Sequence, residues 1–303
     1  MDAEQSIDQM TRAPRVSILM LTFNRPQYIG RAIQSVLEQT FEDWELIVVQ
    51  DGMHAGVQEI ARAWAARDHR IHYFHRTQIG NIANAYNFGL DLTAADFIAI
   101  LDDDDVWIEP AKLARQVAFF DQNPDYVGCG GGMIVCDHTG TETMRYLKPE
   151  HDGEIRRSAL VANPIAHSTS MFRRLSPGLA RYDDSLAGYQ DWDLWLRLGM
   201  HGKLYNFRDM FTRYTLWQGG GSFQQQRANA ASAVRIVWRH RKTYRGLLVA
   251  ITLTLLQCGY AILPGAVRRS TFSRLSRLKK RLFSGRAAAL PKNTPSREPS
   301  GGL

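Results

Sequence analysis

Over the first hundred residues, short apolar runs alternate with amphipathic stretches, and each apolar run ends abruptly in polar residues. "RVSILMLTF", Arg15 to Phe23, is rich in branched side chains and meets "NRP" at once, the pattern of a buried strand followed by a loop. Pro26 suits a first helical turn. Ile29, Ala32, Ile33, Val36 and Leu37 then recur at i, i+3, i+4, i+7 and i+8, which predicts a helix with one apolar face. "WELIVVQDG", Trp44 to Gly52, repeats the strand-then-turn pattern; "RIHYFHRT" and "FIAILDDDD" predict two more strands, with "NIANAYNFGLDL" as a helix before the last. Alternation of helices with fully apolar strands predicts an α/β fold with a largely parallel, doubly wound sheet flanked by helices. Ligands of such a sheet sit beyond the carboxyl ends of its strands, which would bring Asn24 and Arg25, Gln50 and Asp51, and Asp102 to Asp105 to one edge.

The second half is less regular. "YVGCGGGMIVCD" and "HSTSMFRR" read as strands, and "QDWDLWLRLGMHG", Gln190 to Gly202, as a helix closed by glycine. "WQGGGSFQQQ", Trp217 to Gln226, is too polar and glycine-rich for a stable element and is expected to be a mobile loop, either a lid or a plain linker. Gly246 to Val267 is an uncharged run of 22 residues, at the ~20 needed to cross a bilayer, but diluted by Thr252, Thr254, Gln257 and Pro264.

Charge divides the chain in a way the total of +7 conceals. From Arg235 onward, fifteen Lys or Arg stand against one acid, whereas the residues before it hold 22 basic and 29 acidic side chains. An acidic body therefore carries a strongly basic tail, which points to an anionic membrane surface or nucleic acid as the tail's partner. The body's charge of −7 and the apolar run argue against nucleic acid. A single span would leave a basic flank on each side, and the positive-inside rule would then place the acidic body outside. A monotopic or re-entrant anchor avoids this, with "STFSRLSRLKKRLF" as a basic helix whose Phe272, Leu275, Leu278 and Leu282 form one stripe. The alternative is a helical hairpin packed on the body. Cys129, Cys136 and Cys258 show no disulfide or metal spacing, and the polar Met1 to Pro14 is not a signal peptide, so a cytosolic body is expected.

The chemistry concentrates in Asp102 to Asp105. Four adjacent carboxylates repel one another unless something cationic joins them, and hard oxygen ligands suit Mg2+ or Mn2+, which take one or two protein carboxylates and the rest from phosphates and water. The plainer alternative is a solvated loop capping the helix that begins near Pro110. His69, His72 and His75 lack a companion ligand group, and Gly219 to Gly221 lack the Lys and Ser/Thr of a phosphate-binding loop.

Five segments, "VSILMLTFNRPQYIGRAIQSVLEQT", "WELIVVQDG", "FIAILDDDDVWIEPAKLARQ", "HSTSMFRR" and "GYQDWDLWLRL", follow in an order that resembles the family 2 glycosyltransferases, an inverting family with a GT-A, Rossmann-like fold. The resemblance implies that Thr22, Phe23, Asn24 and Arg25 form the first nucleotide-binding loop, that Asp51 reaches the base or ribose, and that Asp102 and Asp104 are the DxD motif. In that motif Asp104 would hold the metal on the diphosphate, with Asp102 facing the nucleotide and sharing the metal, and Asp103 among the donor contacts. Asp191 is implied to be the general base; an Asp ahead of a helical run is equally an N-cap, and Asp193 would favour the helix dipole. Trp192 and Trp195 offer flat faces to a sugar acceptor or pack inward. Gln50, Met53 and Gln190 depart from the family's usual residues, and "RYTLWQGGGS" lacks a frequent histidine, which bears on donor identity.

The expected organisation is therefore a polar extension over 1–14, a GT-A domain over 15–234, a basic and apolar membrane-associating helical region over 235–286, and a disordered tail over 287–303. The expected activity is Mn2+- or Mg2+-dependent, inverting transfer of a sugar from a nucleotide-sugar donor to a hydroxyl of a lipid-linked or growing glycan, in surface polysaccharide synthesis, on the cytoplasmic membrane face. The alternatives are transfer to a polyprenyl phosphate, and a non-catalytic nucleotide-binding membrane module.

Overall fold

The computed structural model describes residues 13–77, 81–137, 139–175, 178–215, 226–268, 270, 271 and 275. Among the described residues nine strands form one sheet: β1 (Val16–Thr22), β2 (Trp44–Asp51), β3 (Ile71–Arg76), β4 (Phe97–Ile100), β5 (Val106–Trp107), β6 (Tyr126–Cys136), β7 (Glu142–Tyr146), β8 (Met171–Arg173) and β9 (Lys203–Thr215). Their order is β3-β2-β1-β4-β8-β6-β9-β5, with β7 pairing β6. The parallel sheet expected from the sequence is the β3-β2-β1-β4 half. Beyond it the sheet is mixed, because β8 runs antiparallel to both β4 and β6, and β5 antiparallel to β9.

Helices cover both faces of the parallel half. Val16, Ile18 and Met20 of β1 join Ile29, Ile33 and Val36 of α1 (Pro26–Leu37) and Val57 of α2 (Ala55–Ala65) on one side. Leu19 and Leu21 join Ala83, Tyr86 and Leu90 of α3 (Ile82–Leu92) on the other. Successive strand side chains point to opposite faces, so a strand covered twice is largely apolar, and all seven residues of β1 are buried, Ser17 with its hydroxyl hydrogen-bonded. Each such Leu, Ile or Val contributes roughly 1.5–3 kcal/mol. The glycines of β6 have a different cause: a Cβ at Gly131 would stand 2.4 Å from the Phe211 ring of β9, so only glycine lets the two strands pair there.

Four further helices complete the body: α4 (Lys112–Gln122), α5 (Asp152–Ser158), α6 (Gln190–Leu198) and α7 (Gln226–His240). The segment read as a strand at "HSTSMFRR" opens as a 3-10 turn, His167–Thr169, before β8. α6 ends at Gly199, three residues before the glycine expected to close it. α7 runs across the 234/235 boundary and packs Ala233, Ile236 and Val237 against Leu160 and Leu196. The long apolar run forms α8 (Leu247–Ile262), whose Ala250, Thr254 and Ala261 are buried. No helix among the described residues is long and apolar enough to cross a membrane. The expected loop at residues 217–225, Phe272, Leu278 and Leu282 of the basic stripe, and the tail over 287–303 lie outside the described residues.

Candidate active site

The four carboxylates alternate as strand residues do, although they lie in a turn. After β4 the chain folds back through a bond from the Asp105 N–H to the Asp102 carbonyl (3.1 Å) and re-enters the sheet as β5. Asp103 and Asp105 are fully buried; Asp102 and Asp104 are half-buried. The plain solvated-loop alternative is thereby excluded.

Each acid has its own partners. The Arg25 guanidinium, just beyond β1, donates to both Asp103 and Asp104. Arg31 of α1 donates to the Asp104 carbonyl (2.9 Å) and the Thr215 hydroxyl (3.0 Å). Asp105 accepts from the Thr215 N–H (3.2 Å) and the Ser168 hydroxyl. Asp102 accepts from the Tyr86 hydroxyl at 2.5 Å and lies 3.0 Å from the Ser168 hydroxyl. Burial pushes Asp103 up to about 7, against the pull of Arg25. Burial, with Asp104 and Asp102 as like charges, lifts Asp105 well above the carboxylate range. Burial also raises Asp104, with Arg25 opposing and Asp102 adding.

Asp103 is thus corrected: it faces inward to Arg25 and presents no oxygen to a donor. Asp102 and Asp104 are the two that reach the open edge. Their hard oxygens fit a divalent cation that completes its shell with phosphate and water. Among the described residues no group of three or more His, Cys, Asp or Glu side chains is placed to hold a metal ion by itself.

The parallel register sets the other expected residues beside them. Thr22 pairs with Gln50, and Asp51 pairs with Arg76 across β2 and β3. Asn24 and the 41% exposed Phe23 therefore lie on the same sheet edge as Asp51, whose carboxylate is 3.4 Å from Arg76. Thr22 is buried. Gln50 is buried too, bonded to the Tyr73 hydroxyl (2.5 Å) and the His54 carbonyl (3.1 Å), so it shapes the edge without facing it.

Asp191 sits in the first turn of α6. The N-cap is Tyr189, so the capping alternative for Asp191 does not hold. Its carboxylate accepts from Asn163 Nδ2 at 2.6 Å, and Lys148 Nζ donates to the Asn163 carbonyl at 2.6 Å. Burial lowers Lys148 to about 8, while the Asp191 charge raises it. Burial raises the Tyr86 and Tyr182 hydroxyls, the charges of Asp102 and Asp191 add to it, and the two rings stack 4.6 Å apart. Tyr189, with φ 57°, is the one non-glycine residue at positive φ among those described, a strained position next to the candidate base.

Trp192 and Trp195 are corrected. Trp195 is fully buried against Phe172, and Trp192 donates to the Ala159 carbonyl (2.7 Å) within the α6–α7 core, so neither offers a face to a sugar. Asp193 does more than favour the helix dipole: it is fully buried between Arg197 (2.8 Å), Arg239 (3.0 Å) and His240 (3.0 Å). Sequence reading missed Asn163, Lys148 and Tyr86, which come from separate segments and carry no motif, and gave no role to Ser168 although it lies within "HSTSMFRR".

The model of "Glycosyl transferase family 2" matches residues 17–176. The chain belongs to this family. EpsE of Bacillus subtilis (strain 168) is 31% identical over 211 residues, which are 66% of this chain and 72% of EpsE. The O-antigen biosynthesis glycosyltransferase WbnJ of Escherichia coli is 29% identical over 188 residues, 60% of this chain and 71% of WbnJ. Some other relatives are longer, and the chain spans 29–31% of their length. Among solved structures, the mannosyltransferase PcManGT of Pyrobaculum calidifontis, in complex with GDP-Man and Mn2+, superposes with a TM-score of 0.59 at 16% identity, covering 88% of this chain and 81% of that one. This family 2 chain is a glycosyltransferase with an α/β sheet of the GT-A kind, and relatives act in polysaccharide and O-antigen synthesis.

Proposed function

We propose that this glycosyltransferase moves a sugar, with inversion and with Mn2+ or Mg2+, from a nucleotide-sugar donor to a hydroxyl of a lipid-linked or growing surface glycan. Its proposed location is the cytoplasmic face of a membrane, peripheral or monotopic. The observation that carries this reading is the pair of half-buried acids at the sheet edge, Asp102 and Asp104, together with the half-buried Asp191 that Asn163 orients at the start of α6.

Single displacement needs two things at separate places: neutralisation of the departing diphosphate and removal of a proton from the attacking hydroxyl. Asp102 and Asp104 would hold the ion, which when bound supplies Lewis-acid stabilisation of the leaving group. Arg25, which bonds Asp103 and Asp104, places a cation beside the acids at which the diphosphate would sit. Asn24 and Asp51 line the edge where ribose and base would lie. Asp191, oriented by Asn163, takes the acceptor proton. One base is enough, because no covalent sugar intermediate forms. The GDP-Man and Mn2+ held by the structural neighbour support a nucleotide-sugar donor and a divalent ion.

The test is a donor screen: purified full chain with Mn2+ or Mg2+, a panel of nucleotide sugars and lipid extract, following released nucleoside diphosphate. Donor-specific release that stops with chelator and with Asp104→Ala is expected. Release indifferent to both would overturn the metal assignment, and full turnover by Asp191→Asn would favour a phosphate acceptor, which needs little base assistance.

A further inference from the structure

α8 leaves much of its apolar surface uncovered. Leu248 is 81% exposed, Leu255 64% and Leu256 65%, and Ile262 continues the row one to two turns further. These positions share the side of the helix opposite the buried Ala250, Thr254 and Ala261, of which Ala250 packs with Ala233, Ile236 and Val237 of α7. Trp238 and Val234 of α7 extend the apolar surface, and a groove lined by Val237, Leu247 and Ile251 runs between the helices. Such a continuous exposed patch marks an interaction surface.

Its charge and length indicate the partner. Exposed Lys242 and Arg245 precede the helix and Arg268 follows it, while no acid occurs between Arg239 and Arg268. A helix of 16 residues is about 24 Å long, short of the ~30 Å hydrocarbon core. An apolar stripe bracketed by cations on a helix too short to cross fits a position in the plane of one anionic leaflet.

The hairpin is also fastened to the site at three places. Its α7 packs Asn229 so closely on Gly188 that a Cβ there would lie 1.9 Å from the Asn229 side chain, and Ser232 accepts from the Gly188 N–H (3.2 Å). Gln257 of α8 donates to the Tyr189 hydroxyl (2.9 Å). Arg239 and His240 hold Asp193. Gly188, Tyr189 and Asp193 bracket Asp191, so the candidate base cannot change its position relative to α8 without breaking these contacts.

We infer that the outer edge of the α7–α8 hairpin docks on one leaflet of an anionic bilayer, holding Asp191 at a fixed place over the membrane, and that the acceptor is consequently lipid-linked. The choice of acceptor rests on the transferase reading; the docking does not.

The full chain is sedimented with phosphatidylcholine vesicles and with phosphatidylcholine–phosphatidylglycerol vesicles, as wild type and as Leu255→Glu/Leu256→Glu. Both leucines are already exposed, so an unchanged thermal midpoint is the folding control. Wild type is expected to sediment with the anionic vesicles, less so as salt rises, and the variant to bind at least about tenfold more weakly. Transfer to a lipid-linked acceptor in those vesicles should fall in parallel, whereas transfer to the same glycan freed of lipid should not. A wild type that stays in the supernatant, or a variant that sediments equally, overturns the docking. So does a concentration-dependent dimer, without vesicles, that the substitutions dissolve, since the face would then cover a second copy. Equal loss of transfer to free and lipid-linked glycan overturns the acceptor assignment. Docking without any donor turnover would instead sink the transferase reading alone.

Discussion

Asp191 and Asp193 stand two residues apart on one helix, and their substitution by Asn should give opposite phenotypes. Asp193 is fully buried and held by two guanidiniums and His240. Burial alone would raise it, but the hydrogen bonds of His240 and Arg197 and the charges of Arg197 and Arg239 bring it from 3.8 down to about 2. That displacement is worth about 2.4 kcal/mol. Breaking a buried ion pair outright costs about 3–5 kcal/mol, which is an upper bound here. Arg239 keeps Asp183 (2.6 Å) and Arg197 keeps the Leu179 carbonyl (2.8 Å), so neither cation is stranded. Asp193→Asn should therefore lose about 2–3 kcal/mol, read as a lower urea midpoint, with a melting point down by roughly 5 °C. A carboxylate with a depressed folded-state pKa stabilises above its unfolded value, so the gap between wild type and variant should narrow as pH falls from 3.8 through about 2. Asp191→Asn keeps an amide oxygen to accept from Asn163 and should melt within about 0.5 kcal/mol of wild type, while turnover falls roughly 100- to 10,000-fold. Equal stability of Asp193→Asn and wild type, or a loss of stability in Asp191→Asn as large as its loss of rate, would refute the division of labour.

Lys112, fully buried with Nζ 3.8 Å from the Trp107 ring and donating to Gln116 at 2.7 Å, is lowered by burial to about 7. Its proton is held less tightly in the folded than in the unfolded chain, so stability should rise with pH from about 7 toward 10.5, and Lys112→Met should raise the urea midpoint at about pH 6 by at least about 1 kcal/mol. Arg25→Ala removes the cation from Asp103 and Asp104; because Asp103 folds best protonated, the stability deficit should be larger at about pH 8.5 than at about pH 6, and a pH-independent deficit would contradict this account. Trp195→Ala should cost about 3–5 kcal/mol in denaturant melts, whereas an acceptor platform would lose acceptor KM with stability intact.

What the sequence disclosed follows from how completely each segment is covered. β1, β2 and β4 are sandwiched between helices, which keeps them largely apolar on both faces. β9 pairs on both sides but leaves much of one face open, so "KLYNFRDMFTRYT" carries Arg208, Asp209 and Arg213 and shows no usable period. α7 meets Gly188 and the charged Asp193 with small and polar side chains, Asn229, Ser232 and His240, which weakens the apolar stripe that would have announced a helix. The four identical letters of "DDDD" hide a division the structure shows: Asp103 and Asp105 turn inward, while Asp102 and Asp104 turn to the edge. Nothing in the sequence marks Asn163 or Lys148, since a hydrogen bond from Asn163 to Asp191, 28 residues away, and one from Lys148 to Asn163 impose no local pattern. The legible part of the site is thus the part that rides on strand ends. The part that orients the proton acceptor comes from connections whose only constraint is where they finish, and it is there that α7 and α8 attach.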